Sequence, residues 1–159
     1  MAISNEDIQL SNQLLVEAKK NFDAEKFYNT VALCEKALRL HPNNIQCNLL
    51  MGLAHLNLGT FYTEWDLNDS IMACKYFRRV IELDSKNVEA YLYCGIAIYR
   101  LGNNFKLAIE YLDKCLELDS QNATAYFYRS KIYSELGDAQ QAKKDFDTAI
   151  SINPEFLEV

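Results

Sequence analysis

The feature that most constrains this chain is that it repeats itself. Val88-Glu-Ala-Tyr-Leu-Tyr-Cys-Gly-Ile-Ala-Ile-Tyr-Arg-Leu-Gly102 matches Ala123-Thr-Ala-Tyr-Phe-Tyr-Arg-Ser-Lys-Ile-Tyr-Ser-Glu-Leu-Gly137 in residue type at nearly every position. The segments that follow, Leu107-Ala-Ile-Glu-Tyr-Leu and Gln141-Ala-Lys-Lys-Asp-Phe, also match, as do Leu118-Asp-Ser and Ile152-Asn-Pro. The unit-closing residues Pro42, Ser85, Ser120 and Pro154 lie 43, 35 and 34 residues apart. A period of this length marks a helical array, in which each helix pair buries an apolar face against the next.

Helical periodicity supports that reading. Helices are predicted over Ser4–Glu25, Lys26–Leu40, Ile45–Leu58, Asp69–Leu83, Val88–Leu101, Phe105–Leu118, Ala123–Leu136 and Ala139–Ile152. Ser4 is placed to cap the first, with Glu6 and Asp7 complementing its dipole. Pro42 ends the second, and Gly59 is the expected C-cap of the third. Residues 60–68 have no counterpart in the other units and carry Phe61, Tyr62, Leu67 and the single tryptophan, Trp65. This insertion is expected to lengthen the flanking helices and to pack on neighbouring helix ends, or else to offer a second contact surface.

Half of the 159 residues are apolar, enough for a sizeable core, and the net charge is −6. A nucleic-acid surface needs a basic patch, and none is evident. No stretch approaches the length of an apolar span, so no membrane insertion is expected. The N-terminus shows no secretory pattern. Cys34, Cys47, Cys74, Cys94 and Cys115 form no C-x-x-C pair and fall where small core residues belong. They are expected to be reduced thiols in the cytoplasm.

The unit resembles the tetratricopeptide repeat. The resemblance covers nearly the whole chain as one domain, 1–159, with repeats at about 8–44, 45–87 (insertion 60–68), 88–122 and 123–156. It implies an all-α, right-handed superhelix of four helix-turn-helix units, each with a first helix A and a second helix B. The small helix A position is Ala18, Gly52, Gly95 and Ser130. Early helix B carries Thr30, Ala73, Ala108 and Ala142; the bulky position is Cys34, Phe77, Leu112 and Phe146; the later small position is Ala37, Val80, Cys115 and Ala149. Small residues let two helix backbones cross closely. The inter-helix glycine is Gly59, Gly102 and Gly137, with Glu25 standing there in unit one.

The resemblance implies a concave groove lined by helices A. The positions carried over from the family are Asn12, Leu15, Lys19 and Phe22 in unit one, and Gln46, Leu49, Leu53, Leu56 and Asn57 in unit two. Unit three offers Glu89, Leu92, Ile96, Tyr99 and Arg100; unit four offers Thr124, Phe127, Lys131, Ser134 and Glu135. The middle of this set is apolar, and an exposed apolar patch with a polar rim marks an interaction site. The expected function is therefore a protein-protein interaction module that takes a hydrophobic or amphipathic segment on Leu15, Phe22, Leu49, Leu53, Leu56, Leu92, Ile96, Tyr99 and Phe127. Lys19, Arg100 and Lys131 are its polar anchors. The alternative for those residues is coverage by the insertion or a chain end. The alternative roles are a chaperone shielding a client segment, or an assembly subunit that oligomerises through the solenoid ends. Some family members clamp a terminal carboxylate with Lys and Asn side chains. Here those positions hold Leu15, Lys19, Leu50, Leu92 and Ile96, so the resemblance does not extend to that clamp.

No phosphate loop, nucleophile elbow or H-E-x-x-H motif is present, and neither histidine has ligands at metal spacing. His41 and His55 are expected to be structural, with their ring nitrogens satisfied. Neither catalysis, a metal nor a cofactor is expected.

Overall fold

A computed structural model describes residues 3–61 and 67–157. Within them run eight α-helices and no strand: α1 (Asn5–Asp23), α2 (Phe27–Leu40), α3 (Ile45–Phe61), α4 (Leu67–Leu83), α5 (Val88–Leu101), α6 (Phe105–Leu118), α7 (Ala123–Glu135) and α8 (Ala139–Ile152). A 3-10 turn follows at Pro154–Leu157. The architecture is all-α, as the repeat predicts. Successive helices pair as α1 with α2, α3 with α4, α5 with α6 and α7 with α8. Two compact units result, Met1–Ser85 and Lys86–Val159, each holding two pairs. Within each unit the first helices also meet, α1 with α3 and α5 with α7.

Helix starts follow side-chain capping. Ser4 accepts from the Asp7 amide, and Asp7 returns a bond to the Ser4 amide, a reciprocal capping box. Asn87, Asn104, Asn122 and Asp138 cap α5 to α8 in the same way, each accepting from an amide three residues on. Each satisfies an amide that the helix itself leaves without a partner.

Helix ends separate the three glycines. Gly102 and Gly137 take the left-handed conformation, with φ of 67° and 78°. Gly59 does not cap α3. The helix continues through it to Phe61, and α4 begins at Leu67, ahead of the expected Asp69. The insertion thus lengthens both helices, while Tyr62 and Trp65 lie outside the described residues.

The small and bulky positions meet directly. A Cβ on Gly52 would stand 2.5 Å from the Phe77 ring, and one on Gly95 would stand 2.9 Å from Leu112 Cγ. Phe77 and Leu112 are fully buried. The cysteines are free and buried. A hydrogen bond with the Cys47 thiol, then burial, raises the Cys34 thiol, and burial with Asp119 nearby pushes Cys115 up to about 12. Both are held as neutral core groups.

The compact unit Lys86–Val159 contains a part-buried ion network that the repeat pattern did not reveal. Arg129 on α7 donates to both Asp145 oxygens, at 2.6 and 2.8 Å, and also to Asp113 on α6. Asp145 is only 2% exposed. The Asp145 bond, with that of Asp113, raises the guanidinium further above its ordinary range against the opposing effect of burial. Arg129 also lies 5.4 Å from the Tyr126 ring centroid. It therefore ties three helices together.

Two stability predictions follow from this geometry. Glu25 occupies the inter-helix position with φ 56°, and its amide and that of Lys26 bond back to Phe22 and Asn21. The Gly137 and Asp138 amides bond back to Ser134 and Tyr133 in the same pattern. A left-handed non-glycine residue costs about 1–2 kcal/mol, partly offset by glycine's greater freedom in the unfolded chain. Glu25→Gly should raise the unfolding free energy in urea by about 0.5–1 kcal/mol. Arg129→Met should lower it by about 3–5 kcal/mol, because it leaves Asp145 buried and unpaired. Adding Asp145→Leu should restore most of that loss.

Candidate functional site

The side chains expected to line a groove stand on the first helices of the pairs, but they differ in exposure. Leu15, Leu56, Leu92, Ile96 and Phe127 are buried, each at most 7% exposed. Phe22, Leu49, Leu53, Tyr99 and Arg100 are half-buried, and Lys19 and Lys131 are exposed. The five buried residues do not form an open patch. Within each compact unit the first helices meet, α1 with α3 and α5 with α7, and Leu15 packs into a core with Leu50 and Met51.

In the compact unit Met1–Ser85 the face around α1 and α3 keeps half-buried leucines beside polar groups. Leu49 and Leu53 stand one turn apart on α3. Lys19 Nζ donates to Gln46 Oε1 at 2.9 Å, and Asn44 Nδ2 donates to Asn12 Oδ1 at 3.2 Å. These bonds fix two of the positions carried over from the family, Asn12 and Gln46. Asn57 donates to the Leu53 carbonyl at 2.9 Å, which ties that amide back to its own helix. Phe22 packs edge-on against Phe27, with centroids 5.4 Å apart.

In the compact unit Lys86–Val159 the corresponding face is aromatic. Tyr99 meets Tyr128 edge-on at 6.0 Å and Phe105 at 6.1 Å. Burial, then the nearby Glu135, raises the Tyr99 phenol above its ordinary value. Phe127 is covered by Phe156 of the terminal 3-10 turn, stacked at 4.5 Å with an interplanar angle of 18°. Lys131 Nζ sits 4.5 Å from the Phe127 centroid. Coverage by a chain segment, one of the outcomes expected from sequence, thus holds for Phe127. Phe127, Ser130 and Phe146 also line an open pocket of about 540 Å³ with Lys131 and Lys143 at its edge.

The histidines diverge. His55 Nδ1 lies 2.7 Å from Asp69 Oδ1, and its ring stacks on Tyr76 at 5.8 Å, so it is satisfied as expected. His41 is not: among the described residues nothing hydrogen-bonds its buried Nδ1. Its backbone N–H closes α2 on the Ala37 carbonyl. A buried polar atom left this way costs about 1–3 kcal/mol. Among the described residues no group of three or more His, Cys, Asp or Glu could hold a metal ion. No helix there is long and apolar enough to cross a membrane.

Known proteins share these features. The tetratricopeptide repeat matches residues 123–156 in one form and residues 52–87 and 97–122 in another, well over half the chain. Human tetratricopeptide repeat protein 6 is 28% identical over 121 residues, covering 76% of this chain and 21% of that protein. The chain therefore spans about a fifth of that relative's length. Among solved structures, the MamA protein aligns with a TM-score of 0.80 at 23% identity, over 94% of this chain and 76% of MamA. The first TPR of Spaghetti (RPAP3), bound to the HSP90 peptide SRMEEVD, aligns with a TM-score of 0.70 at 20% identity, over 82% of this chain and 98% of that one. At these identities the likeness is one of fold. Matched repeats, paired helices and shared fold agree: the chain belongs to the tetratricopeptide repeat family.

Proposed function

We propose that this protein is a protein-binding module that takes an apolar or amphipathic segment of a partner on the first helices of its pairs. The observation that carries this reading is the half-buried leucine pair, Leu49 and Leu53, on α3, next to exposed Lys19 and Gln46. A folded helix pair does not need these leucines uncovered, and apolar area with a polar rim favours a partner that removes it from water. Phe22 extends this surface within Met1–Ser85, and Tyr99 and Arg100 offer like chemistry within Lys86–Val159. Leu15 and Leu56 support the first surface, and Leu92, Ile96 and Phe127 the second, with Lys131 a cation beside Phe127. The peptide carried by the Spaghetti (RPAP3) repeat gives a precedent for a bound segment on this fold. A carboxylate clamp is not implied here, since of the five positions only Lys19 carries a donor side chain, the others being Leu15, Leu50, Leu92 and Ile96.

Two substitutions test this. Leu53→Asp should reduce partner capture in a pull-down by about tenfold or more, with melting nearly unchanged, because its site is already part-hydrated. Ile96→Asp should instead unfold the protein or cost about 3 kcal/mol or more, since it forces a charge into a site only 3% exposed. Undiminished capture by a folded Leu53→Asp protein would sink the proposal.

A further inference from the structure

The second helices of the compact unit Met1–Ser85 form a separate cleft that the first-helix surface does not use. It lies between α2 and α4 and encloses about 590 Å³, a size typical of ligand sites. Its apolar floor is Leu38, Pro42 and Tyr76, and its cations are Arg39, Lys75 and Arg79. Two carboxylates, Glu35 and Glu82, stand at its edge.

The cleft is built in advance. Asn48 donates both amide protons to backbone carbonyls, those of Pro42 and Asn44, at 3.1 and 2.9 Å, which holds the turn at one end. Arg79 Nη2 donates to Asn43 Oδ1 at 2.7 Å and so ties α4 to that turn. Tyr76 is held by its stack on His55.

The charges in the cleft are unevenly satisfied. Arg79 pairs with Glu82 at 2.6 Å. Among the described residues neither Arg39 nor Lys75 forms an ion pair, and both are exposed. Lys75 Nζ instead sits 5.6 Å from the Tyr76 ring centroid. Three cations against two carboxylates make the cleft positive on a chain whose net charge is −6. The apolar floor beside these cations favours a ligand that carries an apolar side chain as well as negative charge. A short segment with a carboxylate for each unpaired cation and one apolar side chain for the floor fits well.

We propose that the α2–α4 cleft docks an acidic peptide segment of a partner protein, its carboxylates pairing with Arg39 and Lys75 and an apolar side chain resting on Leu38, Pro42 and Tyr76. This site is independent of the first-helix surface proposed above, and either can fail without the other. The probe is a fluorescein-labelled peptide in which aspartates flank a central leucine, compared with its asparagine counterpart by fluorescence polarisation on the full chain. The acidic peptide should bind about tenfold or more tightly than the amide peptide, with the preference shrinking as salt rises. Arg39→Glu with Lys75→Glu should remove the preference, and Leu53→Asp should leave it intact. Backbone amide resonances of Leu38, Arg39, Lys75 and Tyr76 should shift on titration. Should the double reversal not melt cooperatively, Arg39→Gln with Lys75→Gln carries the same expectation. Equal affinity for both peptides, no binding of the acidic one, or an unchanged preference in the charge variants overturns the proposal.

Discussion

Everything else in the structure depends on how closely two helices of a pair approach at one crossing. At Gly52 there is no room for even a methyl group beside the Phe77 ring, and at Gly95 there is barely room beside Leu112. The bulky partner fills the space that the missing side chain leaves, at interior packing density. This contact sets the pair, and within each compact unit the pair sets which flank of one first helix meets the other, α1 with α3 and α5 with α7. Leu49 and Leu53 remain half-buried, while Ile96 and Leu92 are taken into the core.

Much of this was legible in the sequence because it is periodic. Ala18, Gly52, Gly95 and Ser130 recur in step, and so do the residues that face them. Glu25 could be aligned with Gly102 and Gly137 from spacing alone, and its positive φ follows from that alignment. Features set by a single unit were harder to read. Gly59 sits at the repeat's glycine position, yet the insertion lets α3 run through it. The asparagine and aspartate caps were visible as turn residues, but their acceptor role needs the helix start to be placed within one residue.

The functional positions were only partly legible, for a related reason. Family spacing identifies which side of a helix a residue occupies, not how much of that side a neighbour covers. Phe127 is the clearest case, since its cover is Phe156, at the position where the earlier repeats carry Asn44, Asn87 and Asn122. The Arg129 network was missed because no periodic signal marks it: Asp113 and Asp145 lie on different helices, and the equivalent of Arg129 in the preceding unit is Cys94. The cleft between α2 and α4 leaves no mark in the sequence, because the repeat pattern marks second-helix positions by packing alone. Lys75 and Arg79 stand one turn apart on α4 and Arg39 stands on α2, a placement visible only once the helices are side by side.

The close crossing is tested most directly by a double-mutant cycle on Gly52 and Phe77, with stability measured by urea unfolding. Gly52→Ala alone should destabilise the protein by about 1–3 kcal/mol, despite a gain of about 1 kcal/mol in helix propensity. In a Phe77→Leu background, where the ring atoms are gone, the same substitution should lose most of that cost. An equal cost in both backgrounds, or a stabilising Gly52→Ala in the native background, would contradict the account.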